Sequence, residues 1–303
     1  MDLRSERHRD RKSLILAAML VFHLLLIVLS ARLSGWVASG APRMLLSAAF
    51  QIVSCLLPAL FYRLLGAPLV QKTMTIECMP SLPMFFIAVA LISGVLQINL
   101  FVCDLFSLSG NPSVSSTVTG TDGIGGVLLS VFCYVLVPAF CEEIFYRGAL
   151  LSAFGGCRFG ILLSALCFGV THFNLYGLLY TTAAGIVLAV CAAATGSLRL
   201  PIAVHGVLNL IVLGLSYAED FFYPSGYALL ESLIWSLVFG AGVIFAVYSL
   251  LNYGRVRLAQ ESESPDALES TGTERERETF RTVILPLIYI VLLILWQLVR
   301  LLP

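Results

Sequence analysis

Polar residues are missing from long stretches of this chain. Apolar runs of helix length recur at about 13 to 33, 44 to 62, 84 to 104, 126 to 154, 159 to 173, 176 to 195, 201 to 217, 228 to 252 and 281 to 302. A hydrocarbon core takes about 20 apolar residues per helix, so each run predicts a membrane-crossing helix, the fifth short and the fourth long. Turn signals separate several of them: Gly40-Ala41-Pro42, Gly155-Gly156, Gly196-Ser197 and Pro224-Ser225-Gly226. The pattern predicts an all-α polytopic membrane protein with about eight or nine transmembrane helices, and no internal repeat is evident.

Composition sharpens this. Of 303 residues 59% are hydrophobic and 12% charged, against roughly 25% charged in a soluble domain, so a soluble globular fold is excluded. Of the 18 basic and 18 acidic residues, eight lie in 1 to 12 and twelve in 255 to 281. The net charge is zero and no basic stripe exists, which argues against a nucleic-acid partner and leaves the lipid bilayer. With the N-terminus cytoplasmic, fourteen of the eighteen Lys and Arg fall in cytoplasmic segments, as the positive-inside bias requires. The expected order is a basic cytoplasmic tail (1–12), N-terminal transmembrane helices (13–125), a core (126–217), a further helix (228–252), a charged flexible linker (253–280) and a last helix (281–303). The loop from 105 to 125, without Lys or Arg, is expected outside. Arg9 to Lys12 precede a run with no small-residue cleavage site, so the first run predicts a helix that is retained. Eight cysteines lie in or beside apolar runs without C-x-x-C spacing and are expected to be buried thiols.

An ionisable residue at the centre of a membrane helix costs about 2.5 to 3.5 kcal/mol, so those present are candidates for function. The fourth run holds three within Pro138-Ala139-Phe140-Cys141-Glu142-Glu143-Ile144-Phe145-Tyr146-Arg147-Gly148. Glu143 and Arg147, at i and i+4, share a face and can form an ion pair. Glu142 points about 100° away from that pair, and Pro138 predicts a kink one turn before it. A helix end with snorkelling charges is the bland alternative. Against it, apolar residues continue from Ala149 to Phe154 before the Gly155-Gly156 stop.

Two further runs carry Phe168-Gly169-Val170-Thr171-His172 and His205-Gly206-Val207-Leu208-Asn209. His23, without a polar neighbour at helical spacing, is expected to be a satisfied core residue. A hairpin turning near Cys157 brings Glu142 and His172 to one depth. His205 falls about 9 Å out of register with His172 at 1.5 Å per residue, a strain that tilt would have to close. A carboxylate beside an imidazole can take a proton from water, and the hydroxide can attack a peptide carbonyl. A second imidazole and an amide N–H can stabilise the oxyanion. Glu142, His172 and His205 could alternatively ligate a catalytic zinc, since three His/Glu ligands and an open water site describe such centres. Cys141 as a thiol nucleophile is disfavoured, because it points about 100° from Glu142 on a helix and no base is evident within its reach.

Together, Glu142-Glu143-x-x-x-Arg147, Phe168-x-x-x-His172 and His205-x-x-x-Asn209, in this order, resemble the signature of the CPBP (CAAX protease and bacteriocin-processing, ABI) intramembrane proteases. That family includes the CAAX prenyl protease type 2 and lysostaphin-resistance protein A-like proteins. The resemblance covers about residues 126 to 217 and implies a four-helix catalytic core. It implies Glu142 as the water-activating base beside His172, His205 with Asn209 as oxyanion stabilisers, and Glu143, Arg147 and Phe168 in support. It further implies an intramembrane endopeptidase acting on a membrane-associated protein or lipidated peptide, multi-pass in a bacterial plasma membrane. No obligatory metal is expected. The competing expectation is a non-catalytic immunity, scaffold or transport protein in which the polar cluster only organises helices.

Overall fold

The computed structural model describes residues 3–64, 81–105, 123–154, 158–172 and 177–222. These form seven helices and, among the described residues, no strand: α1 (Leu3–Ser34), α2 (Ala41–Leu64), α3 (Ser81–Leu105), α4 (Gly123–Ala153), α5 (Arg158–Val170), α6 (Leu178–Thr195) and α7 (Arg199–Phe222). The expected helices at 228–252 and 281–302, the linker at 253–280 and most of the 105–125 loop lie outside the described residues. Three helices, Ala41–Leu64, Gly123–Ala153 and Leu178–Thr195, are long and apolar enough to cross a membrane. Shorter apolar stretches occupy Leu14–Ser30, Met84–Leu96, Phe159–Val170 and Arg199–Gly214. The expected run boundaries are met within a few residues except at the start, where α1 begins at Leu3 and carries the basic segment on as helix.

Large apolar side chains face outward as well as inward, unlike those of a soluble protein. Leu60, Phe86, Phe132, Phe140, Leu162 and Leu179 are exposed, while Glu143 and Arg147 are buried. Outward apolar side chains suit a hydrocarbon solvent, whereas buried charges need partners. The core runs through α1, α2, α4 and α5 around Phe145, Tyr146, Leu150, Cys167 and Phe168. Helix α4 is central, with α2 and α7 packed on its middle. The five described cysteines with assigned burial (Cys55, Cys133, Cys141, Cys167, Cys191) are buried and unpaired, as expected of apolar thiols.

Two prolines shape the helices around the polar residues. Pro138 does not break α4. Instead the helix widens to π geometry over Val131–Leu136, returns to α over Val137–Glu142, and widens again over Glu143–Leu150. A widened turn ahead of the proline relieves the clash of its ring with the carbonyl one turn earlier. In α2, Pro58 has no N–H to give to the Ser54 carbonyl. That acceptor is taken by another helix, as His23 Nδ1–H of α1 donates to it at 2.8 Å.

Helices α5 and α6 meet at glycines. A Cβ on Gly185 would sit 2.9 Å from Ala165 Cα, and one on Gly169 would sit 3.1 Å from the Thr182 backbone nitrogen. Only backbones without side chains between them approach this closely, which is the small-residue packing of membrane helices.

Candidate active site

The ion pair expected from the i, i+4 spacing forms within the second widened turn of α4. Arg147 Nη1 donates to Glu143 Oε1 at 2.7 Å, with both side chains wholly buried. A second guanidinium nitrogen donates to the Gly185 carbonyl of α6 at 3.2 Å, and the guanidinium carbon lies 4.3 Å from the Phe168 ring centre. Coulomb pairing, a backbone acceptor and a ring face together make a buried cation tolerable. The same Oε1 of Glu143 also accepts from His205 Nδ1 at 2.8 Å. Glu143 is thus a carboxylate shared by α4 and α7, a role that spacing alone does not reveal.

Glu142, one residue earlier, turns the other way. Gln51 Nε2 of α2 donates to its Oε1. Its Oε2 is buried and has no hydrogen-bond partner among the described residues, with His205 Nε2 at 3.8 Å. Because His205 donates its Nδ1 proton to Glu143, its Nε2 carries the lone pair in the neutral ring and becomes a donor only when the ring is protonated.

His172 differs from expectation. It stands exposed in the turn beyond Val170, the last residue of α5, and not within a transmembrane helix. The helix closes there because side chains take over its end: Thr171 Oγ1–H and His172 Nδ1–H both donate to the Phe168 carbonyl, each at 2.8 Å. Such capping satisfies an acceptor that the ending helix leaves open. Donation through Nδ1 leaves Nε2 of His172 as the basic nitrogen.

Glu142 and His172 line one cavity of about 300 Å³, together with His23, Ser47, Gln51, Ser54 and Thr171 among others. The equal-depth expectation for Glu142 and His172 agrees with their shared cavity. The 9 Å register gap expected for His205 (at 1.5 Å per residue) does not separate it from Glu142, since Nε2 lies 3.8 Å from Oε2. That gap assumes uniform α-helix from turn to side chain, whereas α4 is widened at Glu143 and His172 lies past a helix end. Asn209 follows His205 by one turn on α7 and is partly buried.

Phe168 ties these parts together. Its ring makes edge contacts with Tyr146 at 5.3 Å, His172 at 4.7 Å and His205 at 5.7 Å. His23, expected to be an isolated core residue, is buried and satisfied, but it also borders the cavity, with Nε2 3.0 Å from Tyr146 Oη. Tyr146 Oη in turn lies 2.8 Å from Thr171 Oγ1. Gln51, Tyr146 and Thr171 are not marked by the sequence motifs, although an amide inside an otherwise apolar run is a signal that points to Gln51.

A zinc held by Glu142, His172 and His205 would require three donors in one cluster. Among the described residues no group of three His, Cys, Asp or Glu side chains comes together in that way.

A bundle of apolar helices enclosing two glutamates, an arginine and two histidines defines a membrane protein with a buried polar site. Residues 124–211 match the family model described as type II CAAX prenyl endopeptidase Rce1-like. The matched segment runs from α4 into α7 and contains Glu142, Glu143, Arg147, Phe168, His172, His205 and Asn209, so the chain is similar to that family over these residues, and its long apolar helices are those of an integral membrane protein. The match covers less than a third of the chain. No curated protein and no solved structure matches it.

Proposed function

We propose that this protein is an intramembrane endopeptidase that hydrolyses a peptide bond of a membrane-associated protein or lipidated peptide with a water activated by Glu142 and His172. The observation that carries the reading is the shared cavity of Glu142 and His172, in which the glutamate is anchored through one oxygen and the histidine through Nδ1. Each then keeps one basic atom, Oε2 and Nε2, for a proton of water. Attack on the scissile carbonyl develops negative charge that His205 and Asn209 are assigned to stabilise. His205 can donate from Nε2 only as imidazolium, and the Glu143 carboxylate, 2.8 Å from its Nδ1, is the counter-ion for that charge. Arg147 pairs with Glu143, and Phe168 holds both imidazole rings. The steps use no metal.

The test is Glu142→Gln, which retains shape and hydrogen bonding but removes the base. Membranes carrying the wild type and the variant are compared for protein termini that differ. Proteolysis is expected to vanish with insertion and abundance unchanged. Identical termini, or a purified variant that still cleaves, would remove Glu142 from this role.

A further inference from the structure

The residues assigned so far all fall within α4 to α7, yet much of the cavity wall belongs to α1 and α2. On α2, Ser47, Gln51 and Ser54 recur at i, i+4 and i+7, a polar stripe in the apolar middle of the helix. Gln51 reaches from it to Glu142 Oε1. A glutamate's terminal torsion is broad and nearly two-fold, so the carboxylate plane is free unless something holds it.

The other groups around this carboxylate are too distant, engaged elsewhere or weak. On α7, His205 Nε2 stands 3.8 Å from Oε2, beyond hydrogen-bond length. On α4, Arg147 is committed to Glu143 and the Gly185 carbonyl. His172, after α5, gives its Nδ1 proton to Phe168. His23 of α1 gives its own to Ser54. Cys55 and Cys141 are weak donors beside it. Among the described residues, Gln51 is the side chain that donates to Glu142.

We infer that Gln51 is a positioning residue: it grips Oε1 of Glu142 and so leaves Oε2, buried and without a hydrogen-bond partner among the described residues, as the oxygen that takes the proton of the attacking water. This rests on the reading of Glu142 as the base, and it extends the working site into a helix outside residues 124–211. An amide suits the task because Nε2–H donates to a carboxylate without adding a charge that would compete for it. A lysine there would neutralise Glu142, and an aliphatic residue would let it turn.

Infrared difference spectroscopy on the purified full-length protein tests the contact without any substrate. The carboxylate band of Glu142 is isolated by subtracting the Glu142→Gln spectrum. In Gln51→Leu the antisymmetric stretch should move to higher wavenumber, or give way to the carbonyl band of the acid. The same substitution in a Glu142→Gln background should leave the carboxylate region unchanged. An unshifted band in Gln51→Leu overturns the proposal. Gln51→Met, closer in shape, is read in the same way where Gln51→Leu does not fold. With a substrate found by comparing membrane protein termini, kcat of the variant should fall by about 10- to 100-fold with KM unchanged, as expected for a misplaced catalytic group. Unchanged kcat would overturn the positioning role even with a shifted band. A wild type that cleaves nothing would instead defeat the proteolytic reading, with the band shift still deciding the contact.

Discussion

Arg147→Met removes a cation that three helices help to bury. The guanidinium loses Glu143 at 2.7 Å, the Gly185 carbonyl at 3.2 Å and the Phe168 ring at 4.3 Å. What remains is a carboxylate 0% exposed, held among the described residues only by the His205 N–H. Breaking a buried pair by removing one partner costs about 3 to 5 kcal/mol. Glu143→Leu should cost a similar amount by stranding Arg147, and it also orphans His205 Nδ1–H, worth about 1 to 3 kcal/mol. If the two residues acted independently, the double variant would lose about 6 kcal/mol or more from the two broken-pair costs alone. With both charges gone neither is stranded, so the double variant should lie only about 1 to 3 kcal/mol below wild type, the remaining loss being the orphaned histidine. The orphaned-histidine cost is common to Glu143→Leu and the double variant and cancels, so the coupling energy is about 6 kcal/mol or more, large for neighbouring side chains. The measurement is reversible unfolding of the full-length protein in mixed micelles, run on wild type, both single variants and the double. Additive losses would refute the argument and point to separate roles for the two residues, with Glu143 as a second catalytic carboxylate.

Three further outcomes are expected. His23→Leu should destabilise by about 1 to 3 kcal/mol by orphaning the Ser54 carbonyl, and Pro58→Ala in that background should recover part of the loss by supplying a helix N–H; no recovery in the unfolding midpoint would show that the carbonyl is not the cause. Gly185→Ala puts a Cβ 2.9 Å from Ala165 Cα, whereas Gly125→Ala meets open space; the first should cost about 1 to 3 kcal/mol by overpacking and the second close to nothing, and equal midpoints would contradict the α5–α6 packing. If the proposed proteolysis is found, chelator-treated protein is expected to keep it, and loss of cleavage restored by stoichiometric zinc would make His172 and His205 ligands.

Much of the site is legible in the sequence because its logic is local. Glu143 and Arg147 are neighbours on any helix that contains both, so a four-residue spacing is enough to predict the 2.7 Å contact. The facing of Glu142 about 100° away from that pair follows from the same geometry. The depth of His205 is not legible, because it depends on where α4 widens and on how α7 is seated, and neither has a period that can be read along the chain. Apolar sequence around His172 predicts a residue inside a membrane helix, whereas the end of α5 is decided by two side chains that compete for one carbonyl.

The apolar run lengths determined by themselves that this chain is helical and suited to a bilayer, since backbone groups in hydrocarbon must be satisfied within each segment. Charge placement and the three motifs likewise marked Glu142, Glu143, Arg147 and His205, which the fold brings together. Which partners those residues take was decided only in three dimensions. Gln51 meets Glu142 across 91 positions, His23 meets Tyr146 across 123, and His205, paired by spacing with Asn209, bonds instead to Glu143 across 62. Helical periodicity says which residues share a face. It carries no information on which face meets which, because that depends on close glycine contacts, proline-freed carbonyls and the satisfaction of each buried charge by several helices together.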